Sequence, residues 1–276
     1  MISPPTTPNA EQIALVSAAA TLFAVSAAAS ASEYFHKRPS PGKMALLAGW
    51  VGVALGVVGL VWHAVGPLDD NFAALAWLGV MLGGCSVYVQ MRRPLPGLDW
   101  FALPVAILML IAAIVFGRAE PRAYSQTLWP IVHLTTAFGG IGALSIAAVV
   151  GAMYLISNHR LRSKRMVGRP PLGSLERLES VAQTALTIGL PLFTVGIVTG
   201  VILAVYGTAE GLPPREEFFG PKILLAVGVW VVYALALHTP INPSFRGKKA
   251  AVLSLIGFVL MVGTLVSIQF MPTGGR

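Results

Sequence analysis

Residues 128–165 read LWPIVHLTTAFGGIGALSIAAVVGAMYLISNHRLRSKR. This is one long apolar run with a single histidine, His133, near its start and a basic cluster at its end. A bilayer core needs about 20 apolar residues in helical form, and this run exceeds that length. An imidazole within such a segment is costly unless something pairs with it, so His133 is the first functional candidate.

The rest of the chain has the same character. Of its 276 residues 55% are hydrophobic and 11% charged, with a mean hydropathy of +0.75. Soluble domains average about 25% charged residues, so an integral membrane protein is expected. Eight apolar runs are bounded by Pro, Gly or charge: about 11–33, 44–66, 72–91, 98–117, 128–157, 178–207, 220–239 and 249–271. They lack the period-2 alternation of a membrane barrel. Only helices satisfy their own backbone groups in lipid, so the expected fold is an all-α bundle of eight transmembrane helices. It forms one polytopic domain over 1–276, with 158–177 as its longest loop. The N-terminal MISPPTTPNAEQ has no basic region, so no cleavable signal is expected there.

Charge gives the orientation. Most of the nineteen Lys and Arg follow the first, third, fifth and seventh runs, as in HKRPSPGK, RRPLPG and NHRLRSKR. The alternate loops hold Asp69, Asp70, Glu120, Glu210, Glu216 and Glu217. The positive-inside rule puts both termini outside and the basic loops in the cytoplasm. The formal charge of +8 is thus a topology signal, with the bilayer rather than nucleic acid as partner. Gly52 and Gly56, Gly139, Gly140 and Gly142, and Gly196 and Gly200 fall at helix-packing spacing. Pro191 predicts a kink in the sixth helix.

Five histidines carry what chemistry there is. His36 and His159 lie among basic residues at inner helix ends, where they suit the negative end of the helix dipole. His63, late in the second helix, and His133, early in the fifth, fall at matched depth near the outer surface. His238 ends the seventh helix at the inner edge. Two imidazoles at one depth on different helices can hold an iron porphyrin between them, though a histidine alone is more often a hydrogen-bonded interior residue. Zinc would want further ligands, and proton transfer would want more acids within the spans than Asp99. The lone Cys85 reads as a small buried residue. Walker, GxGxxG, HExxH and GxSxG motifs are absent, and no enzyme activity is expected.

Several segments together carry a family resemblance. They are WPIVHLTTAFGGIGALSIAAVVGAMYLISNHRLRSK, PPLGSLERLESVAQTALTIGLPLFTVGIVTG, GPKILLAVGVWVVYALALHT and FRGKKAAVLSLIGFVLMVG. In this order they resemble the membrane proteins of cytochrome c assembly over about 128–270. The first four helices, with WHA at 62–64, look like the shorter HemX-like branch. The resemblance implies a haem-handling protein of the bacterial inner membrane that works with other cytochrome c maturation membrane proteins, with haem b as ligand or cargo. It implies His133 as an axial ligand near the outer surface, His238 as a ligand within the membrane, and His63 as the histidine of the second helix. Haem-presenting members carry a tryptophan-rich segment ending in Trp-Asp-Pro-Lys. Here EEFFGPK (216–222) puts Phe218, Phe219 and Gly220 in its place, and no second outer histidine follows the last helix. The alternative is a membrane scaffold that regulates a partner in haem synthesis or cytochrome maturation.

Overall fold

The computed structural model describes residues 10–35, 42–61, 71–117, 129–163, 172–206, 221–238 and 247–270. Eight helices follow one another: α1 (Ala10–Phe35), α2 (Lys43–Val61), α3 (Asn71–Arg92), α4 (Leu98–Phe116), α5 (Trp129–Arg162), α6 (Leu175–Tyr206), α7 (Pro221–Leu237) and α8 (Lys248–Phe270). No strand occurs among the described residues. Stretches within α1 to α6 are long and apolar enough to cross a membrane, and Ile223–Leu237 in α7 is a shorter apolar helix.

The expected helix bounds need correction at the α5–α6 junction. α5 runs on to Arg162 rather than stopping at 157, and α6 starts at Leu175 rather than 178. The expected 158–177 loop is therefore shorter, and Arg160, Arg162 and Arg177 are helix residues. The physical reason lies at the two ends. His159, Arg160 and Arg162 occupy the last turn of α5, where positive charge offsets the partial negative charge of the terminal carbonyls. At the start of α6, the Arg177 N–H donates to Ser174 Oγ at 3.3 Å, and such an N-cap satisfies a backbone donor that would otherwise lack a partner. α6 continues as one helix through Pro191.

The helices form two rings of four. α1, α2, α3 and α4 pack in sequence with α4 closing on α1; α5, α6, α7 and α8 do the same with α8 closing on α5. The rings meet where α3 packs on α5 and α8, and α4 on α5. In the first ring α1 and α2 run antiparallel, with Gly59 against Leu15 and Gly52 against Phe23, while Gly56 lies between Val80 of α3 and Ala19 of α1. In the second, α5 and α6 form the most extensive pair, matching Gly200 with His133, Gly196 with Ala137, Gly140 with Phe193 and Gly189 with Leu144. Of the glycines whose spacing stands out in the sequence, Gly140 and Gly196 sit where backbone meets backbone, while Gly52, Gly56 and Gly200 receive side chains. A Cβ on Gly140 would lie 2.6 Å from the Phe193 nitrogen, and one on Gly196 would lie 2.8 Å from the Ala137 Cα. Gly139 faces only Leu192, at 3.8 Å.

What faces outward is apolar. Met44, Leu108, Phe116, Leu224, Leu235 and Val259 are each more than half exposed. Water disfavours apolar exposure on that scale; hydrocarbon does not. Polar groups lie inside instead, among them Ser26, Ser86, Gln90, Asp99, Ser145 and Thr199. Lys43, Arg92, Arg162, Arg177 and Lys248 fall at one end of the bundle, the basic end, as the antiparallel order requires.

The first ring is pinned at the basic end by a buried carboxylate. Asp99, in the first turn of α4, is 3% exposed. It accepts from Ser30 Oγ of α1 at 2.8 Å, and from Ser86 Oγ and Gln90 Nε2 of α3 at 2.9 and 3.2 Å. Gln90 Oε1 in turn accepts the Leu95 N–H at 2.7 Å in the α3–α4 turn. That turn ends on Gly97, whose φ of 85° lies in the left-handed region that glycine tolerates. One carboxylate thereby ties three helices to one turn.

Two measurements check this packing. Gly140→Leu should lower stability by about 1–3 kcal/mol, the usual cost of overpacking, whereas Gly139→Ala should leave the melting midpoint in detergent nearly unchanged. Asp99→Ala removes the shared acceptor of three donors and should cost about 1–3 kcal/mol for each group left unsatisfied, read as a lowered thermal midpoint of the purified protein.

Candidate functional site

His133 lies four residues into α5, about 6 Å along the helix from its start, at the end opposite the basic one. It is half-buried, and its ring lies on the backbone of α6. His133 Nδ1 is 2.8 Å from the carbonyl oxygen of Gly196. A carbonyl only accepts, so Nδ1 is the donor in this contact, and in the neutral ring Nε2 is then the acceptor nitrogen. Histidines that ligate metals are held in this way, with the other ring N–H given to a carbonyl or carboxylate.

The face of α6 is shaped to the ring. A Cβ on Gly200 would lie 2.7 Å from His133 Cε1 and 3.2 Å from Nδ1. Thr199 Oγ1, buried, sits 3.4 Å from Nδ1 and donates back to the Val195 carbonyl at 2.7 Å. Further along α6, the Trp230 indole N–H of α7 donates to Thr194 Oγ1 at 2.8 Å, and Thr194 donates to the Leu190 carbonyl. α7 is thereby fixed against the helix that carries the imidazole's acceptor.

Of the sequence candidates, the described residues include His133 and His238, which lie apart. His238 ends α7 at the basic end, exposed, with Nδ1 2.8 Å from the Ala234 carbonyl of its own helix. Antiparallel packing puts it at the far end of the second ring from His133. His159 is exposed in the last turn of α5. His36 and His63 lie outside the described residues, and so do residues 216–220 of the EEFFGPK segment. α2, which leads toward His63, packs on α1 and α3. The side of α5 that meets α3 carries Phe138, stacked on Trp77 at 6.1 Å between centroids, and Gly142 against Met81. His133 faces α6 on the other side. Cys85 packs toward Gly142. Among the described residues no three of His, Cys, Asp or Glu converge as a metal cluster.

Thr199 and the Gly196 carbonyl were not legible as site groups, since neither ionises. The only signal was the TVGIVTG run itself, which reads as helix packing. The Asp99 network was missed for a similar reason: its donors come from two other helices, and no local spacing joins them.

The chain is similar to proteins named cytochrome c biogenesis protein CcsA from several organisms. With that of Guillardia theta it shares 21% identity over 244 residues, 79% of each chain. With that of Microcystis aeruginosa it shares 27% over 243 residues, 79% of this chain and 68% of the other. With that of Pyropia yezoensis it shares 28% over 185 residues, 64% and 56% of the two chains. Residues 65–274, which include α3 to α8 and His133, match the family described as cytochrome C assembly protein. An all-helical, multi-pass membrane chain with this match belongs to the cytochrome c assembly protein family.

Proposed function

We propose that this protein is a membrane component of cytochrome c biogenesis that binds or passes haem b through His133, at the non-basic end of the α5–α8 ring. The observation that carries the reading is the 2.8 Å approach of His133 Nδ1 to the Gly196 carbonyl. It directs the Nε2 lone pair to act as ligand, and haem iron takes an imidazole nitrogen on its axis. The family match and the names of the similar proteins support the pathway. The chain's own part is binding and orientation: α6 holds the ring, and the Trp230–Thr194 bond holds α7 against α6. No bond-making step is assigned to it.

The orientation in the same reading has all eight helices spanning the membrane and both termini outside. The basic end then faces the cytoplasm of a bacterial cell, and His133 lies one turn below the outer surface. His63 is the proposed second axial ligand. His238, whose Nδ1 also points at a carbonyl, is the proposed inner haem ligand. Other membrane proteins of cytochrome c maturation would deliver or receive the haem.

Protein purified in mild detergent should carry non-covalent haem with a b-type spectrum. His133→Leu should lower haem per protein roughly tenfold or more, as loss of ligand interactions does, with an unchanged elution profile. His63→Ala should match it if the two rings share one iron, and leave haem content unaltered if they do not. Full haem retention in the His63/His133 double variant would end the outer-site reading, and a colourless wild-type protein would favour the scaffold role.

A further inference from the structure

We propose that Gly196 and Gly200 are positioning residues for His133: the bare backbone of α6 sets which ring nitrogen carries the proton. This rests on the reading of His133 as a ligand and adds how its donor atom is prepared.

Three observations meet here. First, the Gly196 carbonyl lies 2.8 Å from Nδ1. An unprotonated Nδ1 at that distance would oppose two sets of lone pairs, so the carbonyl selects the Nδ1–H tautomer. Second, the approach is possible only because residue 200 lacks a side chain. A Cβ there would stand 2.7 Å from Cε1, closer than nonbonded carbons tolerate, and it would lift the ring off the carbonyl. The clashing atom belongs to a stiff ring packed between two helices, so it has little room to yield. Third, the hydroxyl of Thr199 cannot replace the carbonyl. It is 3.4 Å from Nδ1, too far for a good hydrogen bond, and its proton goes to the backbone carbonyls of its own helix, Val195 at 2.7 Å and Gly196 at 3.1 Å.

An independent comparison comes from the other ring. α2 lays Gly59 against Leu15 of α1, much as α6 lays Gly200 against His133 of α5. In both rings the glycine nearer the non-basic end meets a large side chain of its antiparallel neighbour, although the next glycine differs: Gly196 meets Ala137 of α5, whereas Gly56 meets Val80 of α3 first. The first ring fills the niche with leucine, so packing alone does not require an imidazole. What the second ring gains at 133 is two nitrogens, one of them aimed at a backbone acceptor.

The test reads the tautomer in haem-free protein and haem binding separately. With 15N-labelled histidine in detergent, the signals missing from His133→Leu assign residue 133. Wild type should show a protonated Nδ1 and a pyridine-type Nε2. Gly200→Ala should shift this toward protonated Nε2 and lower haem retention roughly tenfold, the scale of lost outer-shell contacts. A protonated Nε2 in wild type overturns the proposal, and that spectrum decides even if Gly200→Ala fails to fold. An unaltered tautomer in folded Gly200→Ala also overturns it, while leaving His133 as ligand intact. The expected tautomer shift in a protein that holds no haem would instead remove the haem reading and keep the positioning.

Discussion

The structure depends on how closely the backbones of α5 and α6 approach. In a bilayer, lipid tails are as apolar as the helix surfaces, so association relies on close van der Waals packing, and small residues allow it. Gly140 admits the backbone of Phe193, and Gly196 admits that of Ala137. With the helices drawn together at those two levels, a ring one turn further toward the non-basic end lies directly on α6. The hydrogen bond between His133 and Gly196 is therefore a consequence of packing as much as a feature of the site. Were the pair a few ångströms further apart, the ring would reach no carbonyl of α6.

The same constraint explains what could be read from the sequence and what could not. Each span had to satisfy its own backbone in an apolar setting, so composition alone located the eight helices. The error at the α5–α6 junction arose because charge was taken as the end of a helix. His159, Arg160 and Arg162 are compatible with helix when they sit in its last turn. The glycines were legible as packing positions because their spacing is local. Their partners were not, because pairing Gly200 with His133 depends on the register of two helices whose sequences meet only through a long turn. Asp99 was visible as an acid at the edge of a span, yet its three donors come from α1 and α3. His133 stood out because an imidazole in lipid needs a reason; its acceptor is a backbone atom, which sequence cannot mark.

The two ends of the molecule meet different demands. At the basic end, a buried carboxylate with several donors is strongly held, since removing one partner leaves the others desolvated. Leu95 of the short α3–α4 turn and Leu98 just after it have almost no exposure, and Leu172, just before the Ser174 cap, is buried as well. Tyr233 of α7, fully buried against Gly257 of α8, ties the second ring together further along. These contacts fix the helix ends that face the charged side.

The repeated ring architecture then separates scaffold from site. Both rings use a glycine-faced helix to receive its antiparallel neighbour, so that device by itself argues only for packing. The rings differ in where their polar groups go. In the first, Ser26 donates to the Ala45 carbonyl of α2, and Ser30, Ser86 and Gln90 serve Asp99; these bonds join helix to helix near the basic end. In the second, Gln183 donates to the Leu237 carbonyl of α7 near that end, and His133 meets Gly196 and Trp230 meets Thr194 farther from it. A polar group placed only to hold helices together is satisfied once its bond is made. An imidazole bonded through Nδ1 still has a basic nitrogen on its other side, and leucine fills the matching niche in the first ring without it. At 133 the second ring thus places a side chain that both packs on the neighbouring helix and donates to its backbone, where Gly59 in the first ring meets a leucine.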